Sequence, residues 1–562
     1  MNFDLSKVPF SRRGSYFAVS RLENSRVGVP DGLYLRTVHG CAKNKELLSL
    51  QLTKDGNLIP FTEAASPQEL IMKADAGYVT LCIPQADRIF IRGTGVGLAL
   101  IGNTTDEFDL IVQQEPNQWE HICFGANLNL MISKLAGNCH VEALWNGSKD
   151  EKIVFTIVPN DKDQFFEITI EEFKSSFLGL KHPENFDACV SAIAEDYSRW
   201  LNRIPNVPHE FARSAELAAY VNWSSSVNEN GLINRPSMLM SKNWMTNIWS
   251  WDHCFNAMAL TRDIEQACNQ FLTVFDHQDE YGALPDFFND SQISYNFCKP
   301  PIHGWALQWL MKRVELPAAF LRRIYRPLCR WTLWWFTYRD FDGDGFPQYN
   351  HGNDSGWDNS TVFREFVPVE SPDLIALLIL QAEVLARLAE KMGRFGEQKI
   401  WKEKSENLLA GLIKNFWTGS HFAARRAMTH DRIESDSLLM YIPLVLGHRL
   451  PKYIFNTMVD VLIRKGFLTR YGLATERPDS PFYKADGYWR GPIWAPSTLL
   501  IVDGLADGGR TELSSRIAHN FCDMAAKNGM SENFDALTGH GLRDNAYTWT
   551  SSVFLILASQ YL

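Results

Sequence analysis

The stretch from Ser371 to Gly393, SPDLIALLILQAEVLARLAEKMG, contains the local signals of a long helix. Ser371 is a favourable N-cap, and Pro372 suits the first helical position, where its missing N–H costs nothing. Leucines then recur at three- and four-residue spacing, and Gly393 is typical of the position just after a helix ends. This stretch therefore predicts a helix with a broad apolar face.

Helical periodicity extends over most of the chain after Phe211. It predicts further helices at 398–416, 452–465, 494–505 and 511–528. Roughly 350 residues of helices joined by long, aromatic-rich loops favour a helical toroid whose functional site lies at the loop face. Periodicity alone does not separate a toroid from an open helical solenoid.

The first part of the chain has a different periodicity. From Tyr16 to Phe173, short runs alternate polar and apolar residues, with turn residues such as Asp55-Gly56 between them. We therefore predict an N-terminal antiparallel β-sandwich domain at 1–180, a helical linker at 181–208 and a mainly α catalytic domain at 209–562.

Composition excludes several classes of protein. A net charge of -10 without long charge runs argues against nucleic acid as a partner. No apolar stretch is long enough for a membrane span, and the N-terminus lacks the pattern of a secretion signal, so we expect a cytoplasmic protein. The ten cysteines show no Cys-x-x-Cys spacing, which argues against a disulfide framework and a structural zinc site. Oligomeric state is not indicated.

Five motifs fall in the predicted loops. In chain order they are Trp249-Ser250-Trp251-Asp252-His253-Cys254-Phe255, Lys299-Pro300-Pro301-Ile302-His303, Asp354-Ser355-Gly356-Trp357-Asp358-Asn359-Ser360, Tyr488-Trp489-Arg490-Gly491-Pro492-Ile493-Trp494 and Glu532-Asn533-Phe534-Asp535-Ala536-Leu537-Thr538-Gly539. Two of them present one carboxylate each, Asp358 and Glu532. Paired carboxylates can hydrolyse a glycosidic bond without a metal or an organic cofactor, so we expect no required cofactor and a small-molecule carbohydrate substrate.

Taken together, the five motifs resemble glycoside hydrolase family 63, which includes mannosylglycerate and glucosylglycerate hydrolases, and its relatives the trehalases. The resemblance covers roughly 243–562 and implies an (α/α)6 barrel and an anomer-inverting reaction. By this resemblance Asp358 is the general acid and Glu532 is the general base. It also implies a sugar subsite formed by Trp251, Asp252, Lys299, Gly356, Trp357, Trp489, Arg490 and Trp494.

Several of these residues have ordinary structural alternatives. Asp358 is also suited to capping a helix, and Glu532 to the first turn of one. Asp252 is equally compatible with a structural ion pair, and Arg490 with a hydrogen bond that ties down a loop. We assign no chemical role to His253 or His303, because packing histidines are common and no zinc-like spacing is present.

Two departures from the family pattern bear on the substrate. Lys299 stands where many relatives have Gln, so it either favours an acidic substrate or pairs with Asp286 or Asp290. The Arg that trehalases carry just after the catalytic Asp is missing, and the nearest is Arg364, which argues against trehalose. We expect an exo-acting α-glycosidase, with α-glucosidase as the leading candidate. The alternatives are another helical-toroid glycosidase, such as an α-L-rhamnosidase, and a non-catalytic carbohydrate-binding protein.

The run Asp340-Phe341-Asp342-Gly343-Asp344-Gly345 resembles the start of a calcium loop. It has carboxylates at alternate positions and glycine at the sixth, but it lacks the glutamate expected at the twelfth. Asp340, Asp342 and Asp344 are thus candidate ligands for a structural calcium ion, such as some relatives carry nearby. A plain acidic turn is the favoured alternative.

Overall fold

The computed structural model describes residues 1–23, 28–103, 106–160, 164–179 and 185–562. The chain forms two compact units. The β unit comprises Met1–Asn202, Ala219–Thr246 and Asn289–Gln292, and the helical unit comprises Arg203–Ala218, Asn247–Phe288 and Ile293–Leu562. The predicted boundary between 180 and 181 lies outside the described residues.

Fifteen described strands form the two large sheets of the β unit. They are β1 Phe17–Leu22, β2 Gly32–Thr37, β3 Glu46–Lys54, β4 Asn57–Ile59, β5 Thr62–Ala65, β6 Leu70–Ala74, β7 Gly77–Gln85, β8 Arg88–Thr94, β9 Gly97–Gly102, β10 Leu110–Glu115, β11 Gln118–Cys123, β12 Leu128–Ala136, β13 Asn138–Trp145, β14 Asp150–Val158 and β15 Phe165–Phe173. One antiparallel sheet has the order β1-β2-β3-β9-β14-β13, with β4 paired to β3, and the other has the order β10-β11-β12-β15-β8-β7-β6-β5. Apolar side chains of both sheets share one core, as the β-sandwich prediction requires.

A helix follows the last of these strands. Helix α1, Phe186–Leu201, begins after Asn185, whose side-chain oxygen accepts hydrogen bonds from two backbone N–H groups of the first turn. It packs on β7, and the Trp200 indole donates to the Ala219 carbonyl at 3.0 Å. The described part of the predicted linker up to Asn202 therefore belongs to the β unit.

Helices dominate the remainder of the chain. They are α2 Ala212–Ser225, α3 Asp252–Ala259, α4 Ile264–Leu272, α5 His303–Arg313, α6 Ala318–Tyr338, α7 Pro372–Lys391, α8 Phe395–Phe416, α9 Lys452–Arg464, α10 Ala495–Asp507, α11 Thr511–Asn528 and α12 Thr548–Gln560, with a long 3-10 segment at Leu438–Arg449. Short strands lie in the loops: β16 Ser226–Val227, β17 Ser237–Met238, β18 Ile248–Trp249, β19 Phe287–Phe288, β20 Ile293–Ser294, β21 Val369–Glu370, β22 Ala424–Arg426, β23 Arg432–Ile433, β24 Asn533–Phe534 and β25 Gly541–Leu542.

Six helical segments form a closed inner ring. Each contacts the next in the order α3, α5, α7, the 3-10 segment, α10 and α12, and α12 contacts α3 again. Helices α4, α6, α8, α9 and α11 pack against this ring. The architecture is thus an (α/α)6 barrel, and ring closure excludes the open solenoid.

Helix α7 shows why this sequence suits the inner ring. Ser371 is its N-cap and Pro372 its first residue, as the sequence predicts. Its apolar residues are buried on several sides, and the buried Gln381 side chain accepts a hydrogen bond from the Gly304 N–H and donates one to Thr332. A Cβ atom at Gly304 would lie 2.3 Å from the Gln381 Cα, so only glycine lets α5 approach α7 this closely. The other four predicted helices are also confirmed, with small differences at their ends.

Across the described ranges, no helix is both long and apolar enough to cross a membrane.

Candidate active site

The motif residues lie just before the inner-ring helices. Asp252 opens α3, Lys299 precedes α5, Asp358 precedes α7, Trp494 is the N-cap of α10, and Glu532 precedes α12. In an α/α barrel the inner helices run parallel, so their N-terminal ends meet at one rim. The fold therefore gathers residues that are 280 positions apart, from Asp252 to Glu532, at a single site.

Asp358 is a partly buried carboxyl next to a tyrosine. Burial raises its pKa above the ordinary value, while the positive charge of Lys299 and a hydrogen bond with the Tyr488 hydroxyl act in the opposite direction. Tyr488 has a left-handed φ of 64°, which is unusual for a bulky residue and occurs mostly where surrounding structure imposes it. A raised pKa suits a carboxyl that must donate a proton.

Glu532 is almost fully buried, at 2% exposure. Burial raises its pKa to about 8, the Asp544 carboxylate adds to this effect, and Arg543 opposes it. Two backbone interactions fix its position: its N–H donates to the Asp544 carbonyl at 2.7 Å, and the Trp549 indole donates to its carbonyl at 3.2 Å. The charge of Asp358 also raises the pKa of Glu532, so the two carboxyl groups interact electrostatically.

Asp252 is the third carboxylate of the site, and it is buried. Its pKa is raised by burial, and Lys299 lowers it while Glu532 raises it further. Among the described residues no arginine pairs with it, and its Oδ2 atom has no hydrogen-bond partner. A carboxylate that binds sugar hydroxyls needs such a free acceptor atom.

The tryptophans form one connected aromatic cluster. Trp489 and Trp494 stack with ring centroids 4.0 Å apart, and Trp357 lies 4.7 Å from Trp489. Trp251 is edge-on to Trp549 at 5.6 Å. The four tryptophans that the sequence predicts for the sugar subsite have almost no solvent-exposed surface. Their rings therefore pack largely against other protein groups and support the site.

Gly356 permits the close approach of the Asp358 loop to Trp251. Its φ of 73° is left-handed, and a Cβ atom there would lie 2.6 Å from the Trp251 ring. Any other residue at this position would push the loop away from that ring.

Asn359 links two of the motifs directly. Its side-chain nitrogen donates to the Gly487 carbonyl at 3.0 Å, and its side-chain oxygen accepts from the Trp489 N–H at 3.0 Å. The loop that carries Asp358 is thereby held against the loop that carries Tyr488.

Lys299 has protein partners for its charge. Its ammonium group lies 2.9 Å from Asp286 Oδ1 and donates to the carbonyl and the side-chain oxygen of Asn353. Of the two pairings that the sequence allows, the one with Asp286 is therefore present. The other candidate partner, Asp290, contacts His39 within the β unit.

Arg490 behaves differently. Its Nε atom is buried without a hydrogen-bond partner, and in the described structure its side chain forms no ion pair. Among the described residues the guanidinium donates to no carbonyl, which leaves its donors available.

The two histidines are buried in an aromatic environment. The His253 Nδ1 atom lies 3.3 Å from the Trp249 carbonyl, and the rings of His253 and His303 are 5.1 Å apart. Burial lowers the pKa of both, that of His253 to about 3, so both are neutral. We assign no chemical role to either histidine.

The acidic run at Asp340 to Gly345 forms a tight turn. Backbone N–H groups of the run donate to its own carboxylates, including Gly345 to Asp340 at 3.1 Å. Glu370, Arg425 and His430 lie against this turn. They come from other loops, so no local sequence pattern connects them with the acidic run.

Several site residues were absent from the sequence-based set. Tyr488 and Asn359 stand inside two of the five motifs, and this position in the sequence could have indicated that they belong to the site. Arg543 and Trp549 have no local signature, and only the fold brings them to the site.

A buried carboxylate set at the rim of an (α/α)6 barrel is characteristic of a glycoside hydrolase, and comparison with known proteins gives the same class. Residues 245–550, just over half of the chain, match the family described as Mannosylglycerate hydrolase MGH1-like glycoside hydrolase domain. The chain belongs to this family, and the predicted resemblance to glycoside hydrolase family 63 is confirmed.

Two curated relatives match across almost their whole length. A mannosylglycerate hydrolase of Rubrobacter radiotolerans is 22% identical over 428 residues, which are 58% of this chain and 96% of the relative. A glucosylglycerate hydrolase of Mycolicibacterium hassiacum is 21% identical over 452 residues, covering 62% of this chain and 99% of the relative.

Solved structures support the fold of both units. A family 63 mannosylglycerate hydrolase from Thermus thermophilus, in complex with glucose, has a TM-score of 0.54 at 20% identity and covers 61% of this chain and 99% of its own. A bacterial glucoamylase complexed with acarbose has a TM-score of 0.64 at 12% identity and covers 100% of this chain and 95% of its own. The glucoamylase match thus includes the N-terminal β unit.

Proposed function

We propose that this glycoside hydrolase is an exo-acting, inverting α-glycosidase in which Asp358 is the general acid and Glu532 is the general base. Asp358 would protonate the leaving glycosidic oxygen, and Glu532 would remove a proton from the water that attacks the opposite face of the anomeric carbon. The two carboxyl groups supply both proton transfers, so the reaction requires no cofactor.

The proposal rests on one observation: two carboxyl groups from distant loops interact at one site, Asp358 partly buried and Glu532 almost fully buried, and burial raises the pKa of each. Catalytic acids and bases work best when their pKa values lie near the working pH, and burial is the usual way to move a carboxyl there. The structural alternatives, a helix cap for Asp358 and a helix-dipole partner for Glu532, give no reason for this shared burial.

Asp252 and Arg490 would hold the sugar. Among the described residues Asp252 Oδ2 and Arg490 Nε are without hydrogen-bond partners, so the first can accept a hydrogen bond from a sugar hydroxyl and the second can donate one to a sugar oxygen. The buried tryptophans would keep the floor of the subsite dry and rigid. We infer a pocket that accepts one terminal sugar residue.

The substrate is proposed to be a small α-glucoside or α-mannoside with a short aglycone. The relatives named for mannosylglycerate and glucosylglycerate support an aglycone of that size and make an acidic one the first to test. Lys299 is balanced by Asp286, so we do not assign the recognition of an acidic group to this lysine. Family membership favours this function over a rhamnosidase or a non-catalytic binding protein.

We also propose a cytoplasmic location. All ten cysteines are free in the structure, which is what a reducing compartment maintains.

The roles of the two carboxyl groups are tested with Asp358→Asn and Glu532→Gln. Each variant should lose activity by about 10²–10⁴-fold on the best substrate of a panel that includes glucosylglycerate, mannosylglycerate and neutral α-glucosides. The surface variants Asp479→Asn and Glu403→Gln are matched controls, since both carboxylates are exposed. Full activity in either site variant would remove that residue from the mechanism.

A further inference from the structure

An acidic cluster outside the active site connects three segments of the helical unit. Asp342 and Asp344 come from the loop after α6, Glu370 from β21, and His430 from the turn between β22 and β23. One side-chain oxygen or nitrogen of each lies within 4.8 Å of the others. We call these four residues the loop-hairpin cluster.

The imidazole of His430 faces all three carboxylates. Its Nε2 atom lies 3.0 Å from Asp342 Oδ2, 3.5 Å from Asp344 Oδ2 and 3.7 Å from Glu370 Oε1. Nitrogen and oxygen ligands about 2.0–2.2 Å from a tetrahedral metal stand about 3.3–3.6 Å from each other. The three distances from the His430 nitrogen to the carboxylate oxygens are therefore close to the spacing of ligands in one coordination shell.

The environment of the Glu370 side chain supports a cation site independently of these distances. Its side chain is fully buried, and its Oε1 atom, which faces the cluster, has no hydrogen-bond partner among the described residues. Its other oxygen accepts a hydrogen bond from Arg425. A buried carboxylate oxygen without a donor is unfavourable, and a bound cation would satisfy it.

Charge supports the same conclusion. The cluster and the adjacent Asp340 bring four carboxylates together, whereas Arg425, which donates to both Asp344 and Glu370, contributes one positive charge. When all four carboxylates are ionised, the negative charge is larger than the positive charge of Arg425 by three. A divalent cation would reduce that excess to one.

The turn that carries His430 is held in an unusual conformation. Met428 and His430 both have left-handed φ angles, of 71° and 58°, and the Met428 N–H donates to Asp342 at 3.2 Å. Such conformations in non-glycine residues are costly and occur often at ligand sites.

We propose that the loop-hairpin cluster binds a first-row transition cation of the Zn²⁺ type through Asp342, Asp344, Glu370 and His430. Calcium prefers six to eight oxygen ligands, whereas zinc commonly takes imidazole nitrogen together with carboxylate oxygen. The resemblance to a calcium loop covers the aspartates alone, and His430 changes the preferred metal. The ion would fasten β21, which follows the Asp358 loop, to the β22–β23 hairpin.

The proposal is tested by metal binding to the full-length, chelator-treated protein. Calorimetric titration should show one Zn²⁺ per chain, with Ca²⁺ bound at least about tenfold more weakly, and Zn²⁺ should raise the unfolding temperature. His430→Asn replaces the nitrogen ligand by an amide oxygen and should weaken Zn²⁺ binding by at least about tenfold, the smallest loss expected even for a partner of a metal ligand, while Ca²⁺ binding changes little. The His430 side chain is 40% exposed, so this variant should fold.

His448→Asn is the matched control, because His448 also contacts a carboxylate, that of Asp507, but lies outside the cluster. It should bind Zn²⁺ like the unmodified protein. Three results would each overturn the proposal: no saturable Zn²⁺ binding, Ca²⁺ binding as tight as that of Zn²⁺, or equal effects of the two substitutions. Should His430→Asn fail to fold, His430→Gln tests the same ligand.

Discussion

Asp358 and Glu532 differ in the groups that surround them, and this difference suits different roles. Asp358 has the Tyr488 hydroxyl and the Lys299 charge beside it. Glu532 is more deeply buried, between the like charge of Asp544 and the opposite charge of Arg543. The balance of these two neighbours determines at which pH Glu532 is ionised and able to accept a proton.

Arg543 gives the first prediction. Its positive charge stabilises ionised Glu532 and lowers the pKa, so Arg543→Gln should raise the pKa of Glu532 above about 8. Less of the base is then ionised at a given pH, and the acid limb of the kcat/KM profile should move to higher pH. Arg510→Gln, which removes an exposed arginine paired with Asp460, should leave that limb unchanged. A limb that stays in place in Arg543→Gln would contradict the assignment of Glu532 as base.

Lys299 gives the second prediction. Lys299→Gln leaves Asp286 buried without its cation, and breaking a buried ion pair by removing one partner costs about 3–5 kcal/mol. The free energy of unfolding, measured by denaturant titration, should fall by about this amount and recover in part in Lys299→Gln/Asp286→Asn.

A control distinguishes burial from charge alone. Lys312 and Asp507 form a more exposed pair, and Lys312→Gln should cost at most about 1 kcal/mol. A similarly small cost for Lys299→Gln would show that the Lys299 pair is not important for stability.

Residue types and motifs predict most of the candidate site but not its pairings. The sequence alone predicts Asp358, Glu532, Asp252 and the four tryptophans as site residues. They stand in motifs that follow one another in the same order as in the family that they resemble. It does not choose between Asp286 and Asp290 as the partner of Lys299, because both precede the lysine by a similar number of residues. Only the fold, which places Asp290 beside His39, separates them.

Among the elements, the 3-10 turn Gly352–Ser355, which is capped by Gly356, is the part of the site most sensitive to a small change. Gly356→Ala adds a Cβ atom 2.6 Å from the Trp251 ring at a left-handed φ of 73°. Displacing either group would misalign Asp358 and Trp251, so we expect kcat/KM to fall by at least about tenfold, since small misplacements at an active site are costly.

Gly393 provides the control for this prediction. It has a similar φ of 69°, but an added Cβ atom would have nothing within 4 Å. Gly393→Ala should cost about 1–2 kcal/mol of stability through backbone strain alone and leave kcat/KM unchanged. Equal kinetics in the two variants would mean that the contact with Trp251 does not position the catalytic loop.

The elements that sequence reasoning predicts best are those with strong local signals. Helix α7 has an N-cap, an N-terminal proline and a following glycine, and it begins at Pro372 as expected. The 3-10 segment Leu438–Arg449 is not predicted, because it contains Pro443 and its Gly447 adopts a non-helical conformation. Such a segment is stabilised by its packing contacts within the ring. These tertiary contacts leave no local pattern in the sequence.

For the whole molecule, ring closure is the feature that periodicity does not decide. A toroid and a solenoid use the same helical periodicity, and they differ only in whether the last helix meets the first. Here α12 contacts α3, and the Ser552 hydroxyl donates to the Asn256 side chain at 2.8 Å between two fully buried positions. That contact joins residues almost 300 positions apart, a separation that no local pattern reports.

The proposal that the reaction inverts configuration rests on the resemblance of the motifs to glycoside hydrolase family 63. A pocket formed at one rim allows acid and base to approach the anomeric carbon from opposite faces, with a water molecule on the side of the base. A retaining enzyme would instead use the second carboxylate as a nucleophile.

The stereochemistry of the first product decides between these two reactions. The unmodified enzyme is mixed with the best α-glycoside of the substrate panel, and the anomeric protons are followed by NMR before mutarotation is complete. If Glu532 activates water, the β-anomer of the released sugar should appear first and the α-anomer only later, at the rate of mutarotation. Initial release of the α-anomer would contradict the assignment of Glu532 as a base that activates water.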